Sequence, residues 1–250
     1  DASIKVESSV PVIPERAMYR NDRREGHDSI GTTEQAKEYY LAEGATGWNV
    51  GYTTWVLVQN PGDKPNDVKL TYQTAGGPVD GPAFQMSPNS RKTVRVNDTL
   101  PPDTDVSTLV RGSAPVIAER AMYWDNGTGE ACHASIGLSS PHDAFMLPDG
   151  QTSQGRETWT LVQNPGKIPV EIRVSYLPAG GGKPTSFSDV LASGTRKTYN
   201  MAEKGVEGRA AVLVETVMGG PVIVERAMYW NSRGAGTCTI GAQMPSRRRF

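Results

Sequence analysis

The chain is short of the residues that carry most protein chemistry. It has two cysteines, three histidines and four phenylalanines in 250 residues. Cys132 and Cys238 are too few for a disulfide scaffold, and they do not point to a redox compartment. His27, His133 and His142 form no His-x-x-x-His pair, and there is no Cys-x-x-Cys. A zinc site with three or four converging ligands is therefore not expected, and the histidines are expected at the surface. A Gly-x-Ser-x-Gly elbow, a glycine-rich phosphate loop leading into a helix and a paired-carboxylate motif are all missing. The expectation is no enzyme, no cofactor and no metal.

Charge of one sign is also lacking. The formal net charge is −1, which gives no overall field to draw the chain to nucleic acid or an anionic membrane. One dense basic patch, Arg247-Arg248-Arg249, stands in a tail at 245–250 and reads as a solvated end. No apolar stretch approaches the roughly 20 residues of a membrane span. No signal peptide is visible and the chain begins at Asp1, so the expectation is a processed protein or an excised fragment.

What the chain does have is repetition. Val12 to Tyr19, Val-Ile-Pro-Glu-Arg-Ala-Met-Tyr, returns at Val116 to Tyr123 and at Val222 to Tyr229, in steps of 104 and 106. A second phrase, Thr54-Trp55-Val56-Leu57-Val58-Gln59-Asn60-Pro61-Gly62, returns at Thr158 to Gly166, again 104 on. Arg91-Lys92-Thr93 returns as Arg196-Lys197-Thr198. A period near 100 suits one small domain per repeat and is too long for a solenoid unit. The boundaries that follow are a partial repeat at 1–43, one module at 44–148, a second at 149–244, and the tail.

Local signals read as strands. Val68, Leu70 and Tyr72 alternate with Asp67, Lys69 and Thr71, and Ile172, Val174 and Tyr176 repeat the pattern. The Gln-Asn-Pro-Gly phrase marks the turn before them, and Asn126-Gly127 marks a hairpin. With 27 glycines and 18 prolines, turn signals fall every 8–12 residues or so. The fold class expected is all-β, as tandem immunoglobulin-like β-sandwich modules of about 100 residues. Residues 34–43 fit either a helical turn or an extended linker.

Several residues stand out as site candidates. Glu15-Arg16, Glu119-Arg120 and Glu225-Arg226 put one charge per repeat on each face of an otherwise apolar strand, so each needs a partner. The reading is a structural ion pair or a junction between modules, because a catalytic residue is rarely copied into every unit of an array. Trp55 and Trp159 are expected to fill the two cores. Trp48, Trp124 and Trp230 are expected either at module junctions or in a sugar-stacking platform. Cys132 and Cys238 fall on the same strand face, as unpaired thiols or as links between modules or chains.

The Leu-Val-Gln-Asn-Pro-Gly turn with its alternating strand, the Pro-Val-Ile-Ala-Glu-Arg-Ala-Met-Tyr-Trp strand and Ala42-Glu43-Gly44 together resemble an uncharacterised repeat. It belongs among the tandem immunoglobulin-like repeats of bacterial secreted and cell-surface proteins. The second copy departs from it, with Pro148-Asp149-Gly150 in place of Ala42-Glu43-Gly44. The resemblance implies an exported, non-catalytic stalk, spacer or assembly unit. The expected function is a structural subunit of an extracellular or cell-surface assembly, such as a filament joined through the leading half-repeat. The expected partners are further copies or other surface proteins. The alternative is an adhesive or carbohydrate-binding accessory that takes polysaccharide.

Overall fold

A computed structural model describes residues 2–244, and the basic tail at 245–250 lies outside them. The described chain is all-β, in several sheets. Its strands run β1 (Glu15–Arg20), β2 (Glu25–Ile30), β3 (Ala36–Leu41), β4 (Ala45–Thr46), β5 (Thr53–Asn60), β6 (Asn66–Thr74), β7 (Gly77–Met86), β8 (Ser90–Arg95), β9 (Thr104–Asp105) and β10 (Ser107–Asp125). They continue as β11 (Glu130–Ile136), β12 (Ala144–Leu147), β13 (Glu157–Gln163), β14 (Val170–Pro178), β15 (Thr185–Leu191), β16 (Arg196–Asn200), β17 (Ala210–Met218), β18 (Ile223–Trp230), β19 (Ala235–Ile240) and β20 (Ala242–Gln243). No helix among the described residues is long and apolar enough to cross a membrane.

β10 organises the first half. Its start pairs with β6 and β3, and its end pairs with β5 and β11, so one strand of 19 residues serves two sets of neighbours. The register with β3 shifts between Arg111 and Val116, where Gly112-Ser113-Ala114-Pro115 turns the strand. A Cβ at Gly112 would stand 2.4 Å from the Ala114 carbonyl oxygen, which is why glycine is required there. The second half repeats these pairings with the long strand cut in two. β17 lies between β14 and β12, and β18 lies between β13 and β19. Gly219, at φ +98°, stands at the cut.

The repeated Asn-Pro-Gly phrase is a clamp. Asn60 Nδ2 donates to the Lys64 and Ser87 carbonyls while its Oδ1 accepts from Gly62 N–H. Asn164 makes the matching bonds to Ile168 and Ala192 and accepts from Gly166. Both asparagines are buried and fully used, so a turn that packs inward still satisfies its backbone. Two apolar cores follow the repeat. One holds Val56, Val58, Leu70, Tyr72, Val110 and Val116, and the other Val162, Ile172, Val174, Tyr176, Val212 and Val224.

Three expectations change. Residues 36–41 are strand β3, hydrogen-bonded to β10, so a segment assigned to the leading partial repeat belongs to the first half's sheet. β12 likewise pairs with β17, so 144–147, expected in the first module, belongs to the second half's sheet. Trp55 and Trp159 are half-buried and do not fill the cores. In β5 the inward positions are Thr54, Val56 and Val58, so strict alternation sends Trp55 to the other face, under Arg95.

Candidate functional site

The three Glu-Arg-Ala-Met-Tyr copies lie on β1, β10 and β18, each with a return strand, β2, β11 or β19. These hairpins stack in series, β2 against β11 and β11 against β19. Alternation along each strand sends glutamate and tyrosine to one side and arginine and methionine to the other. The arginine of one copy therefore meets the glutamate of the next. Arg16 pairs with Glu119, and Arg120 Nη2 reaches Glu225 Oε2 at 3.1 Å. Histidine and tyrosine obey the same rule. His27 Nε2 lies 3.1 Å from Tyr123 Oη and His133 Nε2 lies 3.2 Å from Tyr229 Oη, each pair 96 residues apart. Arg20 covers the Tyr123 ring, and at the next junction Trp124 takes that place against Tyr229, with centroids 5.4 Å apart.

The second junction is the more deeply buried. Arg120 is 0% exposed, and its Nη2 also forms an ion pair with Glu43 Oε2 at 2.9 Å, so two carboxylates share one guanidinium. Burial opposes the charge on Arg120, but Glu43 and Glu225 outweigh it and hold the guanidinium firmly protonated. Ala42 N–H donates to Glu225 Oε1 at 2.9 Å, Cys238 Sγ–H to Glu225 Oε2 at 3.2 Å, and Tyr229 O–H to Glu43 Oε1 at 3.0 Å. Arg120 Nη1 lies 3.0 Å from His133 Nδ1. A guanidinium can only donate, so His133 accepts at Nδ1 and carries its proton on Nε2, facing Tyr229 and Glu43. Burial, then Arg120, pushes the His133 pKa well below its ordinary value, while burial drives the Tyr229 hydroxyl and the Cys238 thiol well above theirs.

Glu43, His133 and Cys238 bring ligand-type atoms within 4.8 Å of one another. As bonded, the His133 ring has no free nitrogen to give a metal, since Arg120 occupies Nδ1 and Nε2 bears hydrogen. The arrangement is a buried, neutral-histidine hydrogen-bond network built around an ion pair.

Each anticipated residue has a definite place. Glu15 stands exposed on the outer side of β1. Arg226, in the last copy, donates to the Asp149 carbonyl at 2.9 Å and touches Met228 Sδ, and burial lowers its pKa. Trp124 is buried at the junction and donates to the Arg233 carbonyl. Trp48 is 47% exposed, and Trp230 is half-buried at the end of β18. Cys132 and Cys238 are both free and do not bridge the modules. They sit on different hairpins, Cys132 opposite Tyr123 and Cys238 opposite Ala227, each turned toward the preceding copy. His27 and His133, expected at the surface, are 9% and 2% exposed. Tyrosines of the next copy capture them.

Glu43, Tyr123 and Tyr229 were not singled out by sequence. Ala42-Glu43-Gly44 and Pro148-Asp149-Gly150 nevertheless put an acid at one repeat position, and in the structure these acids lie against Arg120 and Arg226.

No family model matches the chain, and no curated protein matches it. Among solved structures it is similar to Thermotoga maritima 1070, at 16% identity and TM-score 0.38, over 42% of this chain and 95% of that one. The Anabaena sensory rhodopsin transducer aligns at 23% identity and TM-score 0.31, over 36% of this chain and 99% of its own. A Streptomyces avermitilis α-L-rhamnosidase structure aligns at 8% identity and TM-score 0.26, over 83% of this chain and 26% of that one. With TM-scores below 0.5 these likenesses assign neither a family nor a function.

Proposed function

We propose that the chain is a non-catalytic structural spacer in an extracellular or cell-surface assembly, built from two immunoglobulin-like β-sandwich modules and a leading partial copy. The observation that carries this reading is the recurrence of one junction. The same arginine–glutamate and histidine–tyrosine contacts join the first copy to the second and the second to the third. A bond set that transfers from one junction to the next holds successive units at a fixed angle, as a spacer requires. It also suits an array in which each unit's stability depends on its neighbour. The non-catalytic part of the reading is supported by the closed state of the network. His133, Cys238 and Glu43, which have the chemistry of an active site, are held by other residues: His133 by Arg120 and Tyr229, Cys238 by Glu225, and Glu43 by the Tyr229 hydroxyl and its ion pair with Arg120.

Small-angle scattering of the whole chain tests the reading against the Arg120→Ala, Glu225→Ala double variant. The wild type is expected to scatter as a single rigid particle, and the variant, with its two halves still folded, as a hinged one. A flexible wild-type particle would overturn the spacer reading.

A further inference from the structure

Beside the buried network, between the two halves, lies an open-sided cavity of about 280 Å³. We propose that this cavity binds a neutral pyranose, the terminal residue of a glycan, by stacking it on Trp48.

Four aromatic residues line the cavity: Trp48, Tyr52, Trp159 and Tyr229. Trp48 is the exposed one, at the tip of a tight loop closed by the bond from Tyr52 N–H to the Gly47 carbonyl. It holds φ +58°, and Asp103 Oδ1 accepts its backbone N–H, so the side chain is presented at a fixed place. The matching loop of the second half, between Thr152 and Thr158, is shorter and carries no aromatic residue. A ring at the mouth and apolar Leu161, Met122 and Ala227 beneath suit a ligand with one flat C–H face.

The polar lining sets the charge of that ligand. Arg196 is 2% exposed, and its Nη1 donates to Asp105 Oδ2 at 2.9 Å. Its Nε–H has no acceptor, a buried donor that needs one. Thr198 Oγ1 also donates to Asp105 Oδ2, at 3.3 Å, while Asp105 Oδ1 takes neither bond. Arg233 is already bound by both oxygens of Glu157. Both guanidinium groups are thus neutralised by their own carboxylates, which removes the attraction for an anionic sugar. The same pairing leaves no unpaired carboxylate charge to draw a ligand cation to the aromatic walls. What remains is the Asp105 oxygen that takes neither bond, together with ring faces, which suits a hydroxyl-bearing neutral sugar. The volume is at the lower limit of small-molecule sites, which run from roughly 300 Å³ upward, and fits one ring rather than an extended chain.

The test is a titration of the whole chain, followed by tryptophan fluorescence and saturation-transfer NMR. The probes are a panel of neutral methyl pyranosides, a methyl glucuronide and tetramethylammonium. At least one neutral pyranoside is expected to saturate the signal. Trp48→Ala is expected to bind it about tenfold more weakly, the loss of one aromatic face, with Trp48→Phe restoring most of the affinity and melting unchanged in both. Because Trp48 is half exposed and outside both cores, these variants fold. The proposal is overturned if no neutral pyranoside saturates, if tetramethylammonium or the glucuronide binds in preference, or if Trp48→Ala binds as the wild type does. The spacer reading does not depend on any of these outcomes.

Discussion

Arg120 and Glu225 are 105 residues apart and form an ion pair at 3.1 Å with neither side chain open to solvent. One removes a charge that the other cannot do without. Truncating Arg120 to Met leaves Glu43 and Glu225 buried without their cation, a loss of about 3–5 kcal/mol in a chemical-denaturation experiment. The corresponding Arg16→Met change should cost about 1 kcal/mol or less, because the Arg16–Glu119 side chains are 29% and 18% exposed and water can replace the lost partner. Equal losses at the two positions would contradict this ordering.

Acid should loosen the junctions through the histidines. His27 is held near about 4, by burial first and then by Arg16 and Arg120, against an ordinary value of 6.5. His133 shifts the same way, with Arg120 and Tyr229 against its ring and Glu43 and Glu225 near it. Between those values the unfolded chain binds protons that the folded chain refuses. The contribution is therefore complete above about pH 6.5 and is lost progressively as pH falls toward about 4. Melting temperature followed down this range should drop more steeply in the wild type than in the His27→Asn, His133→Asn variant, and parallel curves would count against it.

The thiols should be slow. Burial pushes Cys132 up to about 11 and Cys238 well above its ordinary value, so little thiolate exists near neutrality. With a thiol-reactive dye, both should label only at the rate the structure opens, and both should label quickly in denaturant. Rapid native labelling of Cys238 would mean that its bond to Glu225 is not kept.

The leading hairpin can be removed without taking a core with it. β1 and β2 form a sheet of two strands that rests on β11, and both apolar cores lie outside it. A chain starting at residue 32 should keep both cores by NMR while losing the protection of Tyr123 and Glu119. Collapse of the first core would show that the hairpin is part of its fold.

The repeat, the strands and the turns were legible because period-2 alternation and Asn-Pro-Gly are local signals. β3 was not, since Lys37 and Glu38 have weak strand preference and their place is set by pairing with Arg111 and its neighbours, far along the chain. The place of Trp55 follows from alternation and not from residue type, since Val56 and Val58 fill the inward positions. The need of Arg120 for a partner was readable from an apolar strand. That its partners would be Glu225 and Glu43 was not, because which hairpin faces which is decided by stacking.

β10 has a consequence for how the first half opens. Its 19 residues bond to β3, β6, β5 and β11, so one continuous strand ties the two sets of neighbours together. The first half is expected to exchange its amide hydrogens as one cooperative unit. In the second half the same run is cut between Met218 and Ile223, and β17 can lose its neighbours while β18 keeps its own. Two opening steps of different free energy belong there, where the first half has one.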